Sequence, residues 1–275
     1  MVSWAVVQSR LSNRSTVEPS GPSYLIQGLD PSEIDSIVVG HGDNAVMIQR
    51  REQQFRVVNE ADYPADPKRI NDLITKCLDI KTVESYTSNP KNHEDLEVTE
   101  EKAQGVVKFL KADGSVLTGV IIGKALEGGQ NTYVRLASQD TVYLAESAPY
   151  IRTTAIDYVN QEIASVERED VNSVTVTTPD GPYTLRSAEG DAVVMADLPA
   201  DKKLKDSDAK SVLGGLNSLR FDDVNTPSAV GELSYDYRYV CRLDDSTEYR
   251  LQIARKDGKA YLTCEAEFTD KTPVT

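Results

Sequence analysis

The hydrophobic residues of this chain follow two spacings, one typical of strands and one typical of helices. Short runs of β-branched and aromatic residues, bounded by Gly, Asn, Asp or Pro, predict strands. In the first half of the chain such runs occupy residues 34–39, 45–49, 54–58, 106–110, 116–122, 132–136 and 142–144. In the second half they occupy residues 171–176, 183–186 and 192–195, and three more follow residue 234. The turn dipeptides between several of them, such as Asp113-Gly114, are typical of an antiparallel meander.

Helical spacing is clearest after Asp66 and Pro67. Asp suits the N-cap of a helix, and Pro suits its first position. The apolar residues that follow recur every three or four positions and therefore share one helical face: Ile70, Leu73, Ile74, Cys77 and Leu78. We expect this face to pack against a sheet. A second helix is predicted over residues 207–219.

A third helix is predicted between the two halves of the chain. Its apolar residues also share one helical face: Ile156, Val159, Ile163 and Val166. Because such a stripe buries against a sheet, this segment is predicted to be a rigid connection rather than a flexible tether.

The order of these elements is duplicated along the chain. The segment Glu33-Ile-Asp-Ser-Ile-Val-Val returns as Asp170-Val-Asn-Ser-Val-Thr-Val, and Tyr63-Pro-Ala-Asp returns as Leu198-Pro-Ala-Asp. The pattern predicts an α+β fold of two tandem repeats, each a mostly antiparallel β-sheet packed against a helix, with a helix joining them. The predicted organisation is given by four ranges: a truncated anchor or linker at 1–28, a first repeat at 29–150, a connecting helix at 151–167 and a second repeat at 168–275.

Charge and cysteine content exclude some classes of function. The chain has 275 residues, with 30 basic against 44 acidic side chains and a formal charge of −14. Such a field repels phosphate backbones, so nucleic acid is not an expected partner. Cys77, Cys241 and Cys264 are too few and too scattered for a disulfide framework or a zinc site. Cys241 and Cys264 are expected on the first and third strands of a meander, beyond disulfide distance.

The N-terminal residues allow two interpretations. Residues 4–7 (Trp-Ala-Val-Val) are much too short a run to span a membrane, and residues 12–23 have the Ser, Pro and Gly content of a flexible linker. Taken literally, the chain is soluble. The alternative is that residues 4–7 are the end of a membrane anchor and residues 12–23 its tether.

The sequence predicts no catalytic, cofactor-binding or metal-ligating residue. His41 and His93 are expected in solvated loops, and Cys77 lies on an apolar helix face, where a thiol is inert. The glycines near residues 119–129 lack the spacing of a phosphate-binding loop. The acidic run at residues 94–101 lacks the pattern of an EF-hand loop, so a solvated face is favoured over a calcium site.

The remaining candidate for a binding surface is a row of tyrosines near the C-terminus. Tyr235, Tyr237 and Tyr239 alternate with polar residues and point to one face of a predicted strand. Aromatic rows can bind sugars or extended peptides. Since Cys241 and Leu243 continue the same face, the interpretation that these rings are core residues is favoured.

Several motifs, taken together, resemble a known bacterial family. They are the strand Asp-x-x-x-Ile-x-Ser-Ile-x-Val from Asp30, the helix start at residues 63–66, Ile122-Gly-Lys, Tyr133-Val-Arg, Val142-Tyr-Leu, and the strand repeated at residues 170–174. Over residues 29–268 the chain resembles domain-of-unknown-function family forty-three-forty. In the second half Ile253-Ala-Arg replaces Ile122-Gly-Lys, so a role of that turn need not occur twice.

The resemblance implies a location and a partner, but it implies no catalytic residue. Members of this family typically begin with one transmembrane helix, lie outside the cytoplasmic membrane and are encoded beside ABC exporters of the gliding-motility type. We therefore expect a non-enzymatic, extracytoplasmic accessory or scaffold subunit that binds an ABC-type membrane complex or its cargo, without a cofactor. The alternatives are a carbohydrate- or peptide-binding module, a hydrolase with a site between the repeats, and a cytoplasmic location.

Overall fold

The computed structural model of the protein describes residues 23–270, apart from the side chain of Asp191. The chain divides into two compact units, the first ending at Asn160 and the second beginning at Gln161. The expected anchor at residues 4–7, and all but the last residue of the expected linker at 12–23, lie outside the described residues. Within residues 23–270, no helix has the length and apolar character needed to span a membrane.

The described part of the first unit contains one sheet of ten strands, in which every neighbouring pair is antiparallel. The strands are β1 (Ser23–Tyr24), β2 (Ser36–Val39), β3 (Val46–Arg51), β4 (Gln54–Val57), β5 (Tyr63–Pro64), β6 (Lys81–Thr87), β7 (Gly105–Leu110), β8 (Val116–Ala125), β9 (Thr132–Leu136) and β10 (Val142–Ala145). Their order across the sheet is β1-β6-β10-β9-β8-β7-β2-β3-β4-β5.

The helix of the first unit, α1 (Pro67–Leu78), begins where the sequence predicts. The Asp66 carboxylate accepts a hydrogen bond from the Lys68 amide at 2.9 Å and so caps the helix. The apolar face is buried as predicted, because Ile70, Leu73, Ile74 and Cys77 are each at most 8% exposed. This prediction is confirmed.

The second unit contains a six-stranded antiparallel sheet and a two-stranded one, counted within residues 161–270. The strands are β11 (Glu162–Ala164), β12 (Val171–Thr178), β13 (Gly181–Ser187), β14 (Val193–Met195), β15 (Leu219–Arg220), β16 (Tyr237–Leu243), β17 (Thr247–Lys256) and β18 (Lys259–Phe268). The larger sheet has the order β14-β13-β12-β16-β17-β18, and β11 pairs with β15. The helices are α2 (Asp206–Leu213) and the single turn α3 (Pro227–Val230).

The predicted fold class, α+β with two repeats of a sheet packed on a helix, is wrong. In residues 23–270 the protein is mostly antiparallel β-structure, with three sheets of unequal size and few helices. The helix predicted over residues 207–219 is only eight residues long, since it ends at Leu213 before Gly214 and Gly215. The duplicated sequence pattern therefore corresponds to one sheet of ten strands and one of six, which are not two copies of one unit.

The predicted connecting helix at residues 151–167 is also wrong. The structure has a short 3-10 turn at Ala155–Tyr158 and strand β11 in its place. Val159 is fully buried, but it forms a bridge to Ala65 in extended conformation. The segment is rich in Thr, Ile and Val, and their branched Cβ atoms favour extended backbone. Of the apolar residues at helical spacing, Val159 and Val166 are therefore buried here without a helix, and Ile156 and Ile163 are half-buried.

A feature that the two units do share is strand order. In the first sheet six neighbouring strands have the order β9-β8-β7-β2-β3-β4. In the second sheet the order is β18-β17-β16-β12-β13-β14, so the strands at matching places in the two sheets also follow each other in the same order along the chain. The first sheet then continues past β9 with β10, β6 and β1, whereas within residues 161–270 the second sheet has no strand beyond β18. The duplication seen in the sequence therefore corresponds to a six-strand arrangement, to which the first unit adds strands.

Candidate functional site

The three tyrosines predicted as a stripe occupy different environments. Tyr239 is only 9% exposed, and its hydroxyl donates to the Val212 carbonyl oxygen at 2.9 Å. Burial raises the pKa of this hydroxyl. Tyr237, half-buried, lies under the Arg255 guanidinium at 5.6 Å, and Tyr235 precedes the strand and is 40% exposed. The rings therefore do not form one exposed aromatic row.

The two histidines differ in a way that the sequence did not predict. His41 is exposed, as expected. The prediction of a solvated loop for His93 is wrong, because this residue is 7% exposed and its Nε2 donates to the Asp140 carbonyl oxygen at 2.8 Å. The hydrogen bond fixes the ring against the turn before β10. His93 thus has a structural role.

The polar segment that contains His93 is a strap, which we define as residues 88–104. It is held across the first sheet by two buried side chains, Leu96 and Val98. The Arg135 Nε donates to the Val98 carbonyl oxygen at 2.7 Å, and burial lowers the pKa of this guanidinium. Leu96 and Val98 therefore anchor the largely polar strap to the core of the first unit.

Two acidic residues of the strap form ion pairs. Glu94 pairs with Lys102 at 2.7 Å, and Glu100 pairs with Lys108 at 2.6 Å. The Lys102 ammonium holds the pKa of the Glu94 carboxyl below its usual range. Among residues 23–270, apart from Asp191, no group of three metal-ligating side chains comes together.

Cys77, Cys241 and Cys264 are free thiols. Burial raises the pKa of Cys77 to about 12 and that of Cys241 to about 11. A thiol with a raised pKa is a poor nucleophile at neutral pH. Cys241 lies on β16 and Cys264 on β18, with β17 between them. Their placement on the first and third strands of a meander is confirmed.

The second sheet has a network of charges on the face opposite its core. The Glu248 side chain is 7% exposed, and both its oxygens accept 2.6 Å contacts, one from Arg242 and one from Arg250. Arg250 also contacts Glu267 at 2.7 Å. The hydrogen bond from Arg242, with a further one from Arg250, holds the pKa of Glu248 below its ordinary value. These pairs link β16, β17 and β18.

We expect Glu248→Gln to lower the free energy of unfolding by about 1–2 kcal/mol at neutral pH, because two charge-assisted hydrogen bonds are weakened. A lowered folded-state pKa stabilises above the unfolded value of about 4.3, and this stabilisation is lost as pH falls through the folded pKa. The difference from wild type should therefore shrink below about pH 4. Urea unfolding at several pH values measures this, with exposed Glu232→Gln, outside the sheet, as control. A difference that persists at low pH would contradict it.

A groove of about 580 Å³ lies on the second unit. Its lining includes the apolar residues Val193 and Leu213 and the charged residues Glu167, Arg168 and Glu169. Sequence reasoning did not find it because its walls come from separate segments.

Strand β6 is a second surface that sequence reasoning missed. On one side it pairs with β10, and on the other β1 covers only Lys81 and Thr82. In the described part of the chain, Val83–Thr87 has no strand on this outer side. Val83 is 48% exposed and Tyr86 is 50% exposed. We call this stretch the β6 edge.

Tyr86 is positioned by an aromatic neighbour. Its ring meets that of Tyr133 edge to face, with centroids 4.9 Å apart. Burial, and next the contact with Tyr86, raise the pKa of Tyr133 to about 12. One side of the Tyr86 ring therefore packs on the core, and the other is open to a partner.

A bacterial family described as "Domain of unknown function (DUF4340)" matches residues 56–238, which is more than half of the 275-residue chain. This chain belongs to the DUF4340 family. Among curated proteins, none matches it significantly. The resemblance inferred from the sequence motifs is confirmed.

The DUF4340 match includes some surfaces and excludes others. It includes α1, the strap and the β6 edge, and it extends to the start of β16 at Tyr237 and Arg238. Strand β18 lies beyond it. Because the family description assigns no function, no residue role can be carried over from it.

Proposed function

We propose that this protein is a non-enzymatic accessory subunit on the outer side of a bacterial cytoplasmic membrane, where it binds an ABC-type transport complex or its cargo. The observation that carries the proposal is the β6 edge, an exposed strand edge with apolar side chains inside the family match. The location and the class of partner rest on the family resemblance.

The β6 edge offers a partner two exposed apolar side chains beside an open strand edge. The ladder between β6 and β10 shifts register at Val83 and at Tyr86, so each is the extra residue of a bulge and strict side-chain alternation does not hold between them. A partner segment would contact these two side chains and the outward backbone groups of Val83–Thr87, and its apolar residues would bury both.

The roles of the chemically reactive side chains favour binding over catalysis. His93 holds the strap, Cys77 is buried in the core, and Glu248 links three strands. Each of these groups stabilises the fold, which is the expected arrangement in a binding protein with a rigid scaffold.

The binding surface can be tested by capture from membranes. With the tethered protein as bait, Val83→Glu and Tyr86→Ala should each reduce recovery of the transport complex at least about tenfold, because truncation of a central interface side chain typically costs more than 1.4 kcal/mol. Tyr150→Ala is the matched control, since Tyr150 is 84% exposed and outside β6. Equal recovery by all variants, with unchanged melting temperatures, would contradict binding at this edge.

The location is tested separately by expressing the gene from its native locus and fractionating the cells. We expect the protein in the membrane fraction and accessible to protease added to spheroplasts. Recovery in the cytosol would contradict the extracytoplasmic location.

A further inference from the structure

Strand β18 is the long outer strand of the second sheet. It has ten residues and pairs with β17 along its whole length, without a register shift. In residues 161–270 no strand lies on its other side. The opposite edge of the sheet, β14, has only three residues.

The turn before β18 determines which backbone groups face outward. Asp257 and Gly258 have φ values of +51° and +76°, and this two-residue turn makes Lys256 and Lys259 a hydrogen-bonded pair. Hydrogen-bonded and non-bonded pairs alternate along an antiparallel ladder. The even-numbered residues of β18 therefore direct their N–H and C=O groups away from β17. Their side chains lie on the core-facing side: Ala260, Leu262, Cys264, Ala266 and Phe268.

The first unit shows what occupies the corresponding position there. Strand β9 holds the same place in the shared strand order as β18, and it is covered by β10, which runs antiparallel to it. The second sheet has no such strand within the described residues. An antiparallel strand is thus the element that this edge fits.

Natural edge strands are usually protected from pairing with other chains. They are short, bulged, or carry Pro or inward-pointing charges. β18 has none of these features on its core-facing side, because its sequence Lys-Ala-Tyr-Leu-Thr-Cys-Glu-Ala-Glu-Phe lacks Pro and places its charges on the other face. Phe268 at its end is 61% exposed.

We propose that β18 pairs with β18 of a second copy of this chain, so that two six-stranded sheets join in an antiparallel manner across a two-fold axis. The proposal rests on the positions of the charged residues along the strand. Its exposed face is basic at the start, at Lys259, and acidic at the end, at Glu265 and Glu267. Antiparallel pairing sets the start of one strand against the end of the other, as a self-complementary two-fold interface requires.

One register pairs the charged ends of the two strands. It sets Lys259 opposite Glu267 of the second copy at both ends and the two Thr263 side chains opposite each other at the axis. Leu262 then lies opposite Cys264 of the second copy, so apolar groups meet on the core-facing side. These are direct cross-strand pairs, and each opposite-charge pair stabilises a sheet.

The first test measures the mass of the full chain by sedimentation equilibrium from micromolar to millimolar concentration. We expect a dimer of twice the 30.3 kDa chain mass, at about 0.15 M salt, which screens the repulsion between two chains of charge −14. Lys259→Glu should raise the dimer dissociation constant about tenfold or more, since two attractive pairs become repulsive. Adding Glu267→Lys should restore dimerisation. Because Glu267 also pairs with Arg250 of its own chain, the melting temperature of this double variant is measured beside its mass. Lys203→Glu, an exposed site outside β18, changes the net charge equally and should have no effect.

The second test determines the register by a disulfide. Hydrogen-bonded cross-strand pairs have Cα atoms about 5.5 Å apart, within disulfide range. With a mild oxidant, Leu262→Cys should therefore form a covalent dimer through Cys264 of the second copy, and a further Cys264→Ser should abolish it. Ala260→Cys is the matched control and should not cross-link, because it faces Ala266 of the second copy in this register.

Several results would overturn the inference. They are a chain that stays monomeric at millimolar concentration, a dimer that tolerates Lys259→Glu, and cross-linking through Ala260→Cys instead of Leu262→Cys. The inference is independent of the proposed function, because it concerns β18, and the partner capture uses variants of the β6 edge. Failure of either leaves the other in place.

Discussion

Leu73→Asp is expected to lower the free energy of unfolding of the first unit by roughly 3–5 kcal/mol. Leu73 is 5% exposed and lies on the same face of α1 as Ile70, Ile74 and Cys77. A carboxylate there loses its water, and it replaces apolar packing with an unpaired charge. Urea unfolding of the full chain, followed by far-ultraviolet circular dichroism, measures the effect.

Asn71→Asp provides the control for Leu73→Asp. It adds the same charge to α1 at an exposed position, so we expect a change of at most about 0.5 kcal/mol. If both variants unfolded at the wild-type urea concentration, the apolar face of α1 would be exposed in solution and its packing in the structure would be incorrect.

Gly123→Ala is expected to lower the free energy of unfolding by about 2–3 kcal/mol, as other overpacked core positions do. A Cβ at residue 123 would overlap the Leu96 carbonyl oxygen, and it would approach the Val98 Cγ1 to 2.6 Å. Both contacts belong to the strap, which would have to move off the first sheet. The melting temperature reports the loss, and faster proteolysis within residues 88–104 reports its location.

The matched control is Gly214→Ala. Gly214 has φ −87°, and the nearest atom to an added Cβ is the Lys210 carbonyl oxygen at 3.4 Å, which is ordinary contact. We expect a small effect there. Equal stability of Gly123→Ala and wild type would mean that the strap does not approach β8 as closely as described.

The sequence predicted those elements whose signals are local. Helix α1 combines a capping Asp66, a Pro67 at its first position and apolar residues at helical spacing, and all three signals agree. The strands from β16 to β18 were predictable for a similar reason. Alternating side chains and the turn at Asp257 and Gly258 set their register without help from distant residues.

Elements that depend on distant partners were missed. Strand β6 is nearly all polar or exposed, and it is a strand because β10, more than fifty residues later, pairs with it. The burial of His93 depends on Asp140, and that of Val98 on the sheet beneath the strap. In residues 151–167 the local signal was misleading. The apolar residues have helical spacing, but the β-branched side chains favour extended backbone and Val159 pairs with Ala65.

The candidate surfaces were less predictable than the fold. Tyrosine alternation indicated a common face for three rings, but Tyr235 lies before the start of β16, so the alternation does not apply to it. An open strand edge has no sequence signature of its own, because it depends on which strands are absent from the adjacent position. The β6 edge and β18 could therefore be recognised only from the completed sheets.

The strand order of the first unit has a consequence for synthesis on the ribosome. Strand β2 lies in the middle of the sheet, and Ser36 pairs with Leu110, which is made 74 residues later. At about 5–20 residues per second, β2 waits roughly 4–15 s for that neighbour. Meanwhile the nascent β2, β3 and β4 can form hairpins whose Ile37 and Ile48 side chains have no core to enter. The half-made sheet therefore exposes apolar strand surface until β7 is synthesised.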